Sequence, residues 1–154
     1  MKKYLLLAVI GLHLGGCKKD DATNQNTAPV AAAFDQSFSL HDQQQALLPA
    51  LSNPELTIAL KDLQYTYCPP NLNCLVGTFV SPTLSITDAL GVNQQLTLPL
   101  VRPRVYNPAW IDTASVRANG RRYVVYYTKW EIGPFRNSPA KKDISIQIRV
   151  TRPN

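Results

Sequence analysis

Hydrolytic chemistry needs a nucleophile with a base held beside it, and this chain offers few bases. Past the first stretch of the sequence the one histidine is His41, so a serine or cysteine nucleophile would have to be built around that ring. His41 lies next to the polar run Gln43-Gln44-Gln45, near the start of the foldable part, and is expected to be exposed without chemistry. Glycoside hydrolysis instead needs two carboxyl groups about 5 to 10 Å apart across a cleft. Asp62, Asp88, Asp112, Glu131 and Asp143 supply carboxylates, but nothing in their spacing brings two together. Phosphate loops, dinucleotide fingerprints and zinc-ligand spacings are absent. No enzyme, cofactor or metal site is expected.

The remaining reactive side chains are three cysteines, Cys17, Cys68 and Cys74. Cys17 closes a distinctive opening. Lys2 and Lys3 give a positive start, Tyr4 to Leu14 is a short apolar run, and Gly15-Gly16 places two small residues before the thiol. The run falls short of the roughly 20 residues that span a bilayer as a helix, and its flanks are those of an export signal. The stretch resembles the lipobox of bacterial lipoproteins. That resemblance implies cleavage before Cys17 and acylation of its thiol and new amino group. Several acyl chains hold a protein stably, where one gives only marginal binding. Lys18-Lys19-Asp20-Asp21 then looks like the signal that sends lipoproteins of the Bacteroidota to the outer face of the outer membrane; it reads equally as a solvated charged tether.

With Cys17 assigned to lipid, Cys68 and Cys74 form an even remainder in an exported chain, which points to a disulfide. The full chain has 154 residues and a formal charge of +6; losing Lys2 and Lys3 leaves about +4. The charge is lopsided. Arg102, Arg104, Arg117, Arg121, Arg122, Lys129, Arg136, Lys141, Lys142, Arg149 and Arg152 follow Val101, whereas only Lys61 stands between Ala22 and Val101. Clustered in space, these cations would draw anionic glycan, lipid phosphate or nucleic acid; no nucleic-acid motif is present, so that partner is not expected.

The elements that must position these residues read as strands. Ala22 to Ala33 is polar and then small, which suits a flexible tether. Phe34 to Leu40 starts the domain, with Phe38 and Leu40 on one face. Leu56, Ile58 and Leu60 alternate with Thr57, Ala59 and Lys61, and a change of phase is expected at Asp62 or Leu63. The strand delivers the chain to Cys68-Pro69-Pro70-Asn71-Leu72-Asn73-Cys74, where paired prolines forbid regular pairing. A strand of this kind followed by Cys-Pro, four residues, Cys and an apolar turn resembles small exported lipoproteins of the Bacteroidota. Those proteins commonly have Trp-Ala-Gly after the second cysteine, where this chain has Leu75-Val76-Gly77. The resemblance implies an immunoglobulin-like β-sandwich with a disulfide, and no activity.

Ser81-Pro82 is expected to split Phe79-Val80 from Thr83 to Thr87 at an edge or bulge. Gln95 to Leu98 follows, and Val101 to Asp112 is read as a crossing connection, with Trp110 plugging one end of the core. Asn119-Gly120 marks a type I′ hairpin between Ser115–Ala118 and Arg121–Ile132. In the second strand the set Arg122, Val124, Tyr126, Thr128, Trp130 and Ile132 is the more apolar and is expected to face the core. Arg121, Tyr123, Tyr127 and Lys129 then form a candidate solvent-facing binding surface, suited to an acidic glycan or a protein. Ile144, Ile146, Ile148 and Val150 alternate inward along the last strand.

The expected organisation is a signal peptide over 1–16, an acylated tether over 17–33, and an all-β, immunoglobulin-like antiparallel β-sandwich over 34–154. The expected function is that of a non-catalytic binding or accessory module of the cell envelope. Its membrane partner is the outer membrane, held through the acyl chains, with exposure on the cell surface left open. Two alternatives stand beside it: an envelope hydrolase or carbohydrate-active enzyme, and an inhibitor using the Cys68–Cys74 loop as a wedge.

Overall fold

The computed structural model describes residues 28–100, 110–134 and 138–153. Cys17, the Lys18–Asp21 charges, Arg102, Arg104 and Arg136 lie outside the described residues.

Period-two alternation becomes two packed sheets. One holds β1 (Val30–Ala31), β3 (Gln45–Leu48), β4 (Leu56–Thr66), β5 (Phe79–Asp88) and β6 (Asn93–Thr97), in the order β1-β3-β4-β5-β6. The other holds β2 (Ser37–His41), β7 (Asp112–Ala118), β8 (Arg121–Ile132) and β9 (Ile144–Thr151), in the order β2-β9-β8-β7. Every pairing is antiparallel except β1 on β3. The only helical element among the described residues is a single 3-10 turn at Lys141–Asp143. The chain is an all-β sandwich, as its alternation requires.

One apolar core lies between the sheets. Leu40, Leu48, Ile58, Leu60, Leu84, Ile144, Ile148 and Val150 are fully enclosed in it, each such side chain contributing roughly 1.5–3 kcal/mol by leaving water. β9 alternates strictly, with Ile144, Ile146, Ile148 and Val150 buried. The β7–β8 turn has positive φ at Asn119 and Gly120, 50° and 71°, the backbone that the Asn-Gly pair tolerates and that matches strand twist.

Two extra residues reset the pattern. In β4 the register shifts between Leu60 and Asp62, so Lys61 is extra and Leu63 takes the inward phase, where the sequence places a phase change. In β8 the register shifts between Tyr127 and Lys129, which makes Thr128 the extra residue and reverses the phase along one strand. Before it Tyr123, Val125 and Tyr127 face inward, all 0% exposed; after it Trp130 and Ile132 pack against the core. The expected facing of β8 is therefore corrected. Arg122, Val124 and Tyr126 point outward, because averaging apolar content over the whole strand mixes two phases.

Two further expectations change. Strand pairing is present ahead of Phe34: Val30 and Ala31 pair with Ala46 and Leu47, and Ala32 is buried. These small residues cover the free edge of β3. Ser81-Pro82 does not split the strand, and β5 runs through it unbroken. The Pro82 carbonyl accepts from the Leu98 N–H on the β6 side; its ring nitrogen faces that side too, where the ladder ends, so no bond to β4 is lost. Gln43 takes positive φ in a turn, and Gln45 opens β3.

Candidate functional site

The strand register decides which chemistry meets which. On the outer face of the four-stranded sheet, Tyr126 in β8 stands opposite Thr113 of β7 and Arg149 of β9, and Arg149 stands opposite Ser37 of β2. The Arg149 guanidinium lies 4.6 Å from the centre of the Tyr126 ring. Trp110, just before β7, meets the same ring edge-on with centroids 5.6 Å apart. Trp110 is thus a half-buried side chain of the outer face rather than a core plug, because its partner ring faces out. Arg149 Nε is enclosed and has no hydrogen-bond partner among the described residues.

Beside this stack lies a small polar cleft of about 110 Å³, lined by Ser39, Lys129, Trp130, Glu131, Ser145 and Gln147. The hydroxyl of the bulged Thr128 donates to the Gln147 carbonyl at 3.1 Å and lies 3.0 Å from Gln147 Oε1. This pins the Gln147 amide in the cleft lining. Lys129 bonds Glu131, and that contact holds the Glu131 carboxyl below its ordinary pKa. Arg122 donates to Ser115 Oγ from Nε and Nη2, at 3.0 and 2.8 Å, and Arg117 lies across the hairpin from it. Among the described residues, Arg117, Arg122 and Arg149 form no ion pair. The face therefore carries a surplus of cations around an aromatic ring. That combination favours ligands bearing both carboxylates and the C–H faces of sugars.

The surface expected from sequence divides. Lys129 is exposed on this face, and Arg121 is exposed beside the hairpin turn. Tyr123 and Tyr127 belong to the core. The Tyr127 hydroxyl donates across the sandwich to the Val80 carbonyl at 3.0 Å. The Tyr123 hydroxyl donates to Glu55 Oε1, and its ring stacks on Phe34 at 5.9 Å. Burial, followed by contact with Glu55, raises the Tyr123 phenol pKa. Glu55 also takes Arg152 at 2.9 Å and Arg121 at 3.8 Å, while Asn119 donates to its carbonyl at 2.8 Å. This polar knot, which the sequence reading missed, closes one end of the sandwich. Glu55 lies 64 to 97 residues from its partners in the chain, so no local pattern announces it.

The other groups considered for chemistry are held separately. His41 is half-buried; its ring Nδ1 has no hydrogen-bond partner among the described residues, and its backbone N–H donates to Gln44 Oε1. Asp62 bonds Lys141, which lowers the carboxyl pKa and raises that of the amine. Burial opposes ionisation of Asp88, but N–H bonds from Val92, Asn119, Leu90 and Gly91 prevail and lower its pKa. Asp112 accepts from the Leu100 and Thr113 N–H groups, and Asp143 from Ala140. No group of three or more metal-ligating side chains converges among the described residues.

Cys68 and Cys74 are joined, with Cα atoms 5.9 Å apart. The Cys68 N–H donates to Thr78 Oγ1 at 3.0 Å and Thr66 Oγ1 donates to the Gly77 carbonyl at 2.9 Å. The loop is tied at its root to β4. Beside that root is an open groove of about 400 Å³ lined by Gln64, Tyr65, Thr66, Phe79, Ser81, Pro99 and Leu100. The Tyr65 hydroxyl is committed to the Pro139 carbonyl at 2.6 Å.

No family model matches this chain, and neither a curated protein nor a solved structure matches it.

Proposed function

We propose that this chain is a lipoprotein of the bacterial cell envelope, anchored to the outer membrane through an acylated Cys17. Its sandwich acts as a non-catalytic module that binds an acidic polysaccharide on the outer face of the four-stranded sheet. The observation that carries the binding reading is Tyr126, in contact with both Trp110 and Arg149, among cations that form no ion pair within the described residues. A sugar ring stacks on an aromatic face, a carboxylate takes a guanidinium in a bidentate bond, and the Gln147 cleft supplies hydroxyl partners. The anchor rests on the positive start, the short apolar run and the small residues before Cys17.

Screening the full chain on arrays of acidic and neutral glycans tests the binding reading. Retention of polyuronates over neutral chains, lost in Arg149→Ala, is expected. Equal retention of both classes would refute the assignment, and release of glycan fragments would refute the non-catalytic part. Protease treatment of intact cells distinguishes exposure on the outer face from the inner one.

A further inference from the structure

We infer that the disulfide-clipped loop is a foot that rests on the lipid bilayer and sets the stance of the sandwich. The inference builds on the lipid-anchored reading and adds a second, non-covalent membrane contact. Residues 69–78 carry no charged side chain. Within them Leu75 is fully exposed, Leu72 is 62% exposed and Val76 45%. Leu100, on the rim of the groove at the loop's root, is 61% exposed. Leu51, Leu90 and Val92 are also exposed, but in the turns at the opposite end, beside Glu55 and Asp88. The clip itself is thus uncharged, whereas the opposite turns stand beside Glu55 and Asp88; at the loop's root Asp112 accepts from the Leu100 N–H.

Chain direction selects the occupant. The described chain starts at Ala28, whose carbonyl accepts from Gln44 Nε2. Gln44 in turn accepts from the Leu60 N–H, and Gln43 donates to the Lys61 carbonyl. Ala28 therefore sits alongside the middle of β4, at the end from which β4 runs on to the clip. From Lys61 to Thr66 is about 17 Å of strand. The chain from Cys17 to Ala28 can extend to roughly 36 Å. The tether is long enough to clear this overhang and too short to leave that end far from the bilayer. The clip and its two root hydrogen bonds hold the apolar tip in place, so little entropy is lost on contact. A bilayer interface accepts such leucine and valine side chains without a specific pocket.

The test uses the full, natively processed chain in vesicles of phosphatidylethanolamine and phosphatidylglycerol carrying a diazirine phospholipid. Photolysis is followed by peptide mass spectrometry, with flotation and the mass of the Cys17 peptide read on the same sample. Lipid adducts on residues 72–76, several-fold above those on Leu90 and Val92, are expected. If the chain floats with an acylated Cys17 but residues 72–76 carry no more adducts than Leu90 and Val92, the foot is refuted and the anchor stands. If adducts concentrate on 72–76 while Cys17 is unmodified, the anchor is refuted and the foot stands. A chain that carries no lipid adducts on residues 72–76 and sediments in detergent as a dimer, converted to monomer by Leu75→Asp, would overturn the foot in favour of self-association.

Discussion

Replacing Tyr127 and Tyr126 one at a time by alanine sets neighbours in one strand against each other. Tyr127 is 0% exposed and its hydroxyl spans the sandwich to the Val80 carbonyl. Truncating a buried aromatic costs about 3–5 kcal/mol, and Tyr127→Phe, which gives up the hydroxyl alone, should cost about 1 kcal/mol. Tyr126 lies on the half-exposed outer face. Its edge-to-face contact with Trp110 and its contact with Arg149 are together worth about 1–2 kcal/mol. Against a total stability of about 5–15 kcal/mol, the two alanine variants should separate clearly. The assay is urea unfolding at neutral pH, followed by circular dichroism and by the fluorescence of Trp110 and Trp130. With a slope of about 2 kcal/mol per molar urea, the midpoint should fall by about 2 M for Tyr127→Ala and by less than about 1 M for Tyr126→Ala. If Tyr126→Ala costs as much as Tyr127→Ala, the phase of β8 and the bulge at Thr128 are wrong, and the binding face goes with them.

Three other perturbations address separate parts of the molecule. The folded Asp88 carboxyl lies below the ordinary aspartate value, so its contribution is complete above the unfolded pKa and is lost as pH falls through the depressed folded one; Asp88→Asn should flatten the acid limb of the stability–pH curve. Asn119 has φ 50° and bonds the Glu55 carbonyl and the Ala89 N–H. Asn119→Ala should therefore cost about 2–3 kcal/mol, and Asn119→Gly about 1 kcal/mol less, in thermal unfolding. Reduction of Cys68–Cys74, which closes a loop of about seven residues, should remove roughly 2 kcal/mol of stability. Glycan binding should survive that reduction, since the clip is tied to β4 in the other sheet; loss of binding would point instead to the loop as the recognition element.

Where the sequence was legible, local geometry is the reason. Strict alternation in Ile144–Val150 put Arg149 outside, and Asn119-Gly120 carried its own turn. The β4 bulge showed itself because Asp62 breaks the apolar period before Leu63. The β8 bulge did not: Thr128 is a good strand residue, its neighbours are aromatic on both phases, and no proline or glycine marks the slip. The partnership of Tyr126 with Arg149 depends on cross-strand register, which no single strand encodes. Val30–Ala31 is too short to show a period, and its role exists only beside the β3 edge.

A titration of a soluble polyuronate into the isotope-labelled full chain, observed by amide and side-chain NMR at low and at high salt, tests the central claim most directly. The account predicts shifts centred on Trp110, Tyr126, Gln147 and Arg149. They should weaken as salt screens the cations and vanish in Arg149→Ala while the fold persists. Shifts confined to another surface, or binding that Arg149→Ala and Tyr126→Ala leave intact, would contradict it.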